Sequence, residues 1–100
     1  MANPSLDVPA DALADLCRRY QVRELAVFGS AARGQAGPGS DIDLLVDFET
    51  DARIGFLALA ALARELSALL GRRVDLVPKG GLKPFIRDEV LREAEVVFAA

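Results

Sequence analysis

The stretch that decides the fold is ELAVFGSAARGQAGPGSDIDLLVDF, residues 24–48. Two apolar runs flank a segment rich in Gly, Ser and Pro. The first run, Leu25-Ala26-Val27-Phe28, is stopped by Gly29 and reads as a buried strand over 24–28. The second, Ile42 to Phe48, is the clearest strand in the chain, rich in β-branched and apolar residues. Between them, 30–34 suits a helical turn, and 35–40, QAGPGS, is a loop by its Gly and Pro content. Successive strand side chains alternate between faces. Ile42, Leu44 and Val46 therefore turn into a core, and Asp41 and Asp43 project together on the other side.

Working outward, the spacing of Leu13, Leu16, Cys17 and Tyr20 predicts a helix over about 9–20, with Pro9 in its first turn. On the other side, Asp51 is a candidate N-cap for a helix running to about Leu70. Ile54, Leu57, Ala58, Ala61, Leu62, Leu66, Leu69 and Leu70 keep helical spacing there, and Gly71 is placed to end it. A third strand follows over 73–77, closed by Pro78; then a loop over 79–82 and a short helix over 84–92. Residues 95–98 read as an edge strand or packed coil. The alternation α-β-α-β-α-β-α implies a central sheet covered by helices: an α/β (α+β) fold with a small mixed sheet, as a single domain spanning residues 1–100.

The composition narrows the chemistry. Hydrophobic residues make up 52% of the chain, which argues against disorder. No apolar run reaches the roughly 18 residues of a membrane span, and no basic head precedes an apolar leader. These features point to a cytoplasmic protein with no membrane partner. The single cysteine, Cys17, has no internal partner and reads as a small buried hydrophobe. Histidine is absent, which excludes Ser-His-Asp and Cys-His nucleophiles and argues against zinc. The net charge is −3 with no clear basic patch, which argues against strong direct binding of nucleic acid. Arg18–Arg19 and Arg72–Arg73 read as cations late in helices, facing the helix dipole. Catalysis must then rest on carboxylates, hydroxyls, Lys, Arg or a hard metal ion.

Asp41 and Asp43 are the first candidates. Two carboxylates about 4–5 Å apart repel by roughly 3–4 kcal/mol at an effective dielectric near 20. A divalent cation between them reverses the sign, and oxygen-only ligands suit magnesium. Taken alone the pair serves equally as a loop residue and a solvated strand residue. Asp47 shares the parity of Asp43 but lies too far along for the same ion, and reads as solvated. Gly29–Ser30 lets backbone approach a ligand closely, with a hydroxyl at a helix start where free amides favour phosphate. The same dipeptide is also an ordinary strand-to-helix turn, and no Gly-Lys-Ser/Thr follows to make it a Walker loop. Arg33 is a phosphate clamp or a helix cap; Ser40 braces the Asp41 loop or only shapes the turn. Asp75, in RRVDLV, is costly if buried unpaired. On a strand beside Ile42 to Phe48 it can point at the same site as Asp43. A third carboxylate is what two-metal phosphoryl transfer requires.

Taken together, Gly29-Ser30-Ala31-Ala32-Arg33-Gly34, then Ser40-Asp41-Ile42-Asp43-Leu44, then Asp75 on a later strand, resemble the DNA-polymerase-β-like nucleotidyltransferase superfamily. The form GSxARG…SDIDLxV is similar to its minimal nucleotidyltransferase (MNT) group. The resemblance covers about 25–97 and departs at none of these positions. It implies a polymerase-β-like core in which Gly29 and Ser30, with Arg33 and Ser40 nearby, hold the triphosphate of ATP. It implies two Mg2+ ions on Asp41 and Asp43, with Asp75 completing the second site and helping to activate an acceptor hydroxyl. MNT proteins are typically paired with a helical HEPN-domain toxin, and some act as antitoxins by transferring AMP to a tyrosine of it. The chain is too short for the acceptor-gripping second domain of larger relatives. The resemblance therefore favours a protein adenylyltransferase with a HEPN partner encoded next door. A partner that neutralises by contact alone, and a small-molecule nucleotidyltransferase of the antibiotic-modifying kind, are the alternatives.

Overall fold

The computed structural model describes residues 9–29 and 41–100. Its elements run α1 (Ala10–Arg19), β1 (Val22–Phe28), β2 (Ile42–Phe48), α2 (Phe56–Leu70), β3 (Val74–Pro78), a 3-10 turn (Lys79–Gly81), α3 (Pro84–Glu93) and β4 (Glu95–Ala99). Among the described residues the strands form one four-stranded sheet in the order β3-β2-β1-β4. β1 pairs antiparallel with β2 and with β4, while β2 and β3 are parallel. The sheet is mixed, as the alternation predicts, and 95–98 resolves into an edge strand. The helical turn and loop expected over 30–40 lie outside the described residues.

Strand periodicity sorts the side chains into two layers. Leu25 and Val27 of β1, Ile42, Leu44 and Val46 of β2, and Val74 of β3 pack with Leu13, Leu16 and Cys17 of α1 and Leu62 and Leu66 of α2. The opposite face holds a thinner cluster of Ala26, Leu45 and Leu82, with Phe28, Val77, Val90 and Ala94 against it. Val22 belongs to the first layer although it lies an odd number of residues from Leu25. A register shift between Val22 and Glu24 explains this, since one extra residue flips the parity that follows.

Two helix readings need correction. α2 begins at Phe56 with Gly55 as its extended N-cap, not after Asp51, which lies in a turn where the Ala52 amide donates to the Glu49 carbonyl at 2.9 Å. Ile54 is thus outside the helix, and Leu57 is 82% exposed. The working stripe is Leu62 and Leu66, flanked by Leu59, Leu69 and Leu70. Gly71 does end α2, in the left-handed region at φ 69°, with its amide bonded to the Ser67 carbonyl. Arg72 and Arg73 therefore follow the helix, whereas Arg18 and Arg19 do lie in the last turn of α1. Ser67 ties α2 to β3: its hydroxyl donates to Ala63 O at 2.9 Å and accepts from the Val74 amide at 3.0 Å. Asp47, expected to be solvated, instead forms an ion pair with Arg23, whose Nε lies 3.2 Å from the carboxylate.

Cys17 is fully buried, and burial pushes its thiol from 9.0 up to about 11. The folded state therefore keeps the thiol protonated where the unfolded chain has lost the proton. Stability must fall as pH rises from 9.0 to about 11, by about 2–3 kcal/mol for this group. Urea melts across that range should show the loss in the native chain and a shallower alkaline slope in Cys17→Ala. Equal slopes would mean the thiol is not desolvated.

Candidate active site

The parallel β2–β3 ladder places Asp43 directly opposite Asp75. Leu44 and Leu76 turn toward the helical layer, so both carboxylates project from the other face. The Ile42 amide donates to the Arg73 carbonyl at 2.8 Å, which fixes the start of β2 against the start of β3. Asp43 is half-buried, and Asp75 and Asp41 are exposed.

Both Asp43 and Asp75 line a cavity of about 420 Å³ on the α3 side of the sheet. Among the described residues Lys83 is the remaining charged residue in its lining, and apolar walls come from Phe28 and Val77 of the sheet and Phe85 and Ile86 of α3. Asp41 stands one residue before β2 and is not among the lining side chains. The structure therefore brings Asp43 and Asp75 together and leaves Asp41 at the rim of the same strand. Ser30, Arg33 and Ser40 lie outside the described residues. Among the described residues no three acidic groups form a ready-made metal cluster. The donors that Asp43 and Asp75 offer are all oxygen, however, which fits a hard divalent cation that completes its shell with water and phosphate.

Gly29 sits at the end of β1, where Phe28 pairs with Asp43. Its φ is +72°, a conformation that favours glycine. A Cβ added there would run into the Asp43 carboxylate. The glycine thus does two things: it turns the chain, and it lets the backbone lie against the carboxylate.

Sequence reasoning missed the α3 side of the cavity. Lys83, Phe85 and Ile86 belong to no motif, and the available hint was Pro84, which marks a helix start just after a lysine.

The chain matches the nucleotidyltransferase domain family over residues 10–97 and belongs to it. It is a nucleotidyltransferase with a polymerase-β-like minimal core. It is 49% identical over 83 residues to the protein adenylyltransferase MntA of Thermococcus cleftensis, covering 83% of this chain and 82% of that protein. A solved structure assigned as a minimal nucleotidyltransferase superposes with TM-score 0.72 at 46% identity, covering 86% of each chain. A complex of a tri-AMPylated HEPN toxin with its MNT antitoxin, from Shewanella oneidensis, gives TM-score 0.65 at 20% identity, covering 91% of this chain and 70% of the matched one. That last likeness is one of fold. Among the described residues no helix is long and apolar enough to cross a membrane.

Gly29 and Gly71 provide a matched test. Both have positive φ, but nothing stands within 4 Å of a Cβ at Gly71. Gly29→Ala and Gly71→Ala should each lose about 1 kcal/mol of stability from backbone conformation alone. Only Gly29→Ala should also displace the Asp43 carboxylate and weaken nucleotide binding, measured by calorimetry. Unchanged binding in Gly29→Ala would remove Gly29 from the site.

Proposed function

We propose that this chain transfers AMP from ATP to a hydroxyl of a partner protein, and that the partner is a HEPN-domain toxin for which it serves as antitoxin. The observation that carries the reading is the opposition of Asp43 and Asp75 at an open cavity in a chain 49% identical to a protein adenylyltransferase. A HEPN partner is supported by the AMPylated HEPN toxin held by the Shewanella antitoxin of similar fold.

In this reading Asp41, Asp43 and Asp75 would hold two Mg2+ ions, and Gly29, Ser30, Arg33 and Ser40 would hold the triphosphate. Bound magnesium would supply Lewis-acid stabilisation of charge on the phosphates. Asp75, exposed at the cavity, takes the proton of the acceptor hydroxyl. The hydroxyl oxygen forms a bond to the α-phosphorus as the bond from that phosphorus to the bridging oxygen breaks, and pyrophosphate leaves. The Gly29 backbone lies against Asp43 and keeps its carboxylate in place. The partner supplies the contacts that hold the hydroxyl in line, a positioning effect that can supply about 7–11 kcal/mol of a barrier.

Two measurements test this. A melting scan should show little shift with ATP or magnesium alone and a clear shift with both, about 2.7 kcal/mol at a hundredfold excess over Kd. Asp43→Asn, with its fold checked by the melt without ligand, should abolish the joint shift. The second measurement is the intact mass of a HEPN protein encoded beside this chain, after incubation with ATP and magnesium. It should gain one or more AMP units with the native chain and none with Asp43→Asn. If Asp43→Asn still neutralises the partner fully at equal amounts, contact rather than transfer is the mechanism.

A further inference from the structure

We infer that Lys83 is the cation that contacts the phosphoryl group undergoing transfer, an inference that rests on the nucleotide reading of the cavity. Among the described residues, Lys83 is the one basic residue lining the space that Asp43 and Asp75 share. If its task were simply to neutralise those carboxylates, it would pair with one. Among the described residues, no ion pair involves it. Its charge is left for a ligand.

The root of the side chain is fixed. Leu82, just before it, is buried against Ala26 and Leu45, and Pro84, just after it, starts α3. The Lys83 carbonyl accepts from the Ile86 and Arg87 amides at 3.1 Å each. A long flexible ammonium on a fixed root, beside two carboxylates that repel an anion, is suited to drawing a phosphate group into that space. A lysine acts there as a point charge, and a positive charge at a transferring phosphoryl group stabilises the charge that develops on it. The Gly29 turn approaches Asp43 from β1, whereas Lys83 approaches the cavity from α3. The two would therefore grip different parts of the triphosphate.

The test compares the native chain with Lys83→Gln and Lys83→Arg. Binding of magnesium and α,β-methylene-ATP is measured by calorimetry, and transfer to the partner by single-turnover rate. Melting curves without ligand confirm the fold, which an exposed lysine should leave intact. Lys83→Gln should weaken analogue binding by about tenfold or more, the scale of a charge-assisted hydrogen bond, and slow transfer by a larger factor. Lys83→Arg should restore binding to within a few-fold. If the native chain binds the analogue and Lys83→Gln binds and transfers equally well, Lys83 has no such contact, and the transferase reading stands without it. If Lys83→Arg is as weak as Lys83→Gln, charge is not what acts, and the inference also fails. If the native chain does not bind the analogue, both this inference and the nucleotide reading of the cavity fall.

Discussion

Asp43 and Asp75 face each other across adjacent parallel strands, and most of the architecture follows from holding two like charges in that position. Parallel pairing of β2 with β3 needs a long crossover, and α2 provides it. Leu62 and Leu66 of α2 are fully buried against one face of the sheet, which leaves the other face for the carboxylates. Like charges directly opposite one another oppose pairing, and at close range the repulsion is a few kcal/mol. A domain with roughly 5–15 kcal/mol of stability does not absorb that lightly. The fold limits the cost by keeping both groups in contact with solvent: among the described residues no charged or polar residue is fully buried. The same repulsion is what a divalent cation would relieve.

Stability is distributed to match. Among the described residues, most of the fully buried side chains lie between α1, α2 and the sheet. On the other face α3 contributes no fully buried residue, and Phe85 is 80% exposed beside the cavity. A helix with so little buried surface opens at a lower free energy than the core elements. The arrangement separates two demands on one small sheet: one face secures the fold, and the other retains space and charge.

Much of this was legible from the residues, for identifiable reasons. Ile42–Phe48 alternates so cleanly that its span and its buried face could be read directly, and the parity of Asp43 followed. Gly71 marked the end of α2 because only a left-handed cap suits it there. The start of α2 was misread because Asp51, Ile54 and Leu57 imitate a cap and an apolar stripe; periodicity cannot distinguish an extended approach to a helix from its first turn. The Arg23–Asp47 pair and the shift beside it depend on how β1 lies on β2, which no local pattern encodes. Lys83 and Phe85 were silent for the same reason, since their place beside the carboxylates comes from how α3 packs.

The opposition of Asp43 to Asp75 lies between these cases. Each aspartate could be assigned to a strand face from its apolar neighbours. Their meeting depends on register, and a slip of one residue in β3 would turn Asp75 into the helical layer. The sequence holds that register through the apolar residues around the aspartate: Val74 and Leu76 both join the main core, and Val74 is also tied by its amide to Ser67 of α2. Shifting β3 by one would expose those two side chains and bury a carboxylate among leucines. The hydrophobic pattern that makes Asp75 look out of place in its strand is therefore what brings it opposite Asp43.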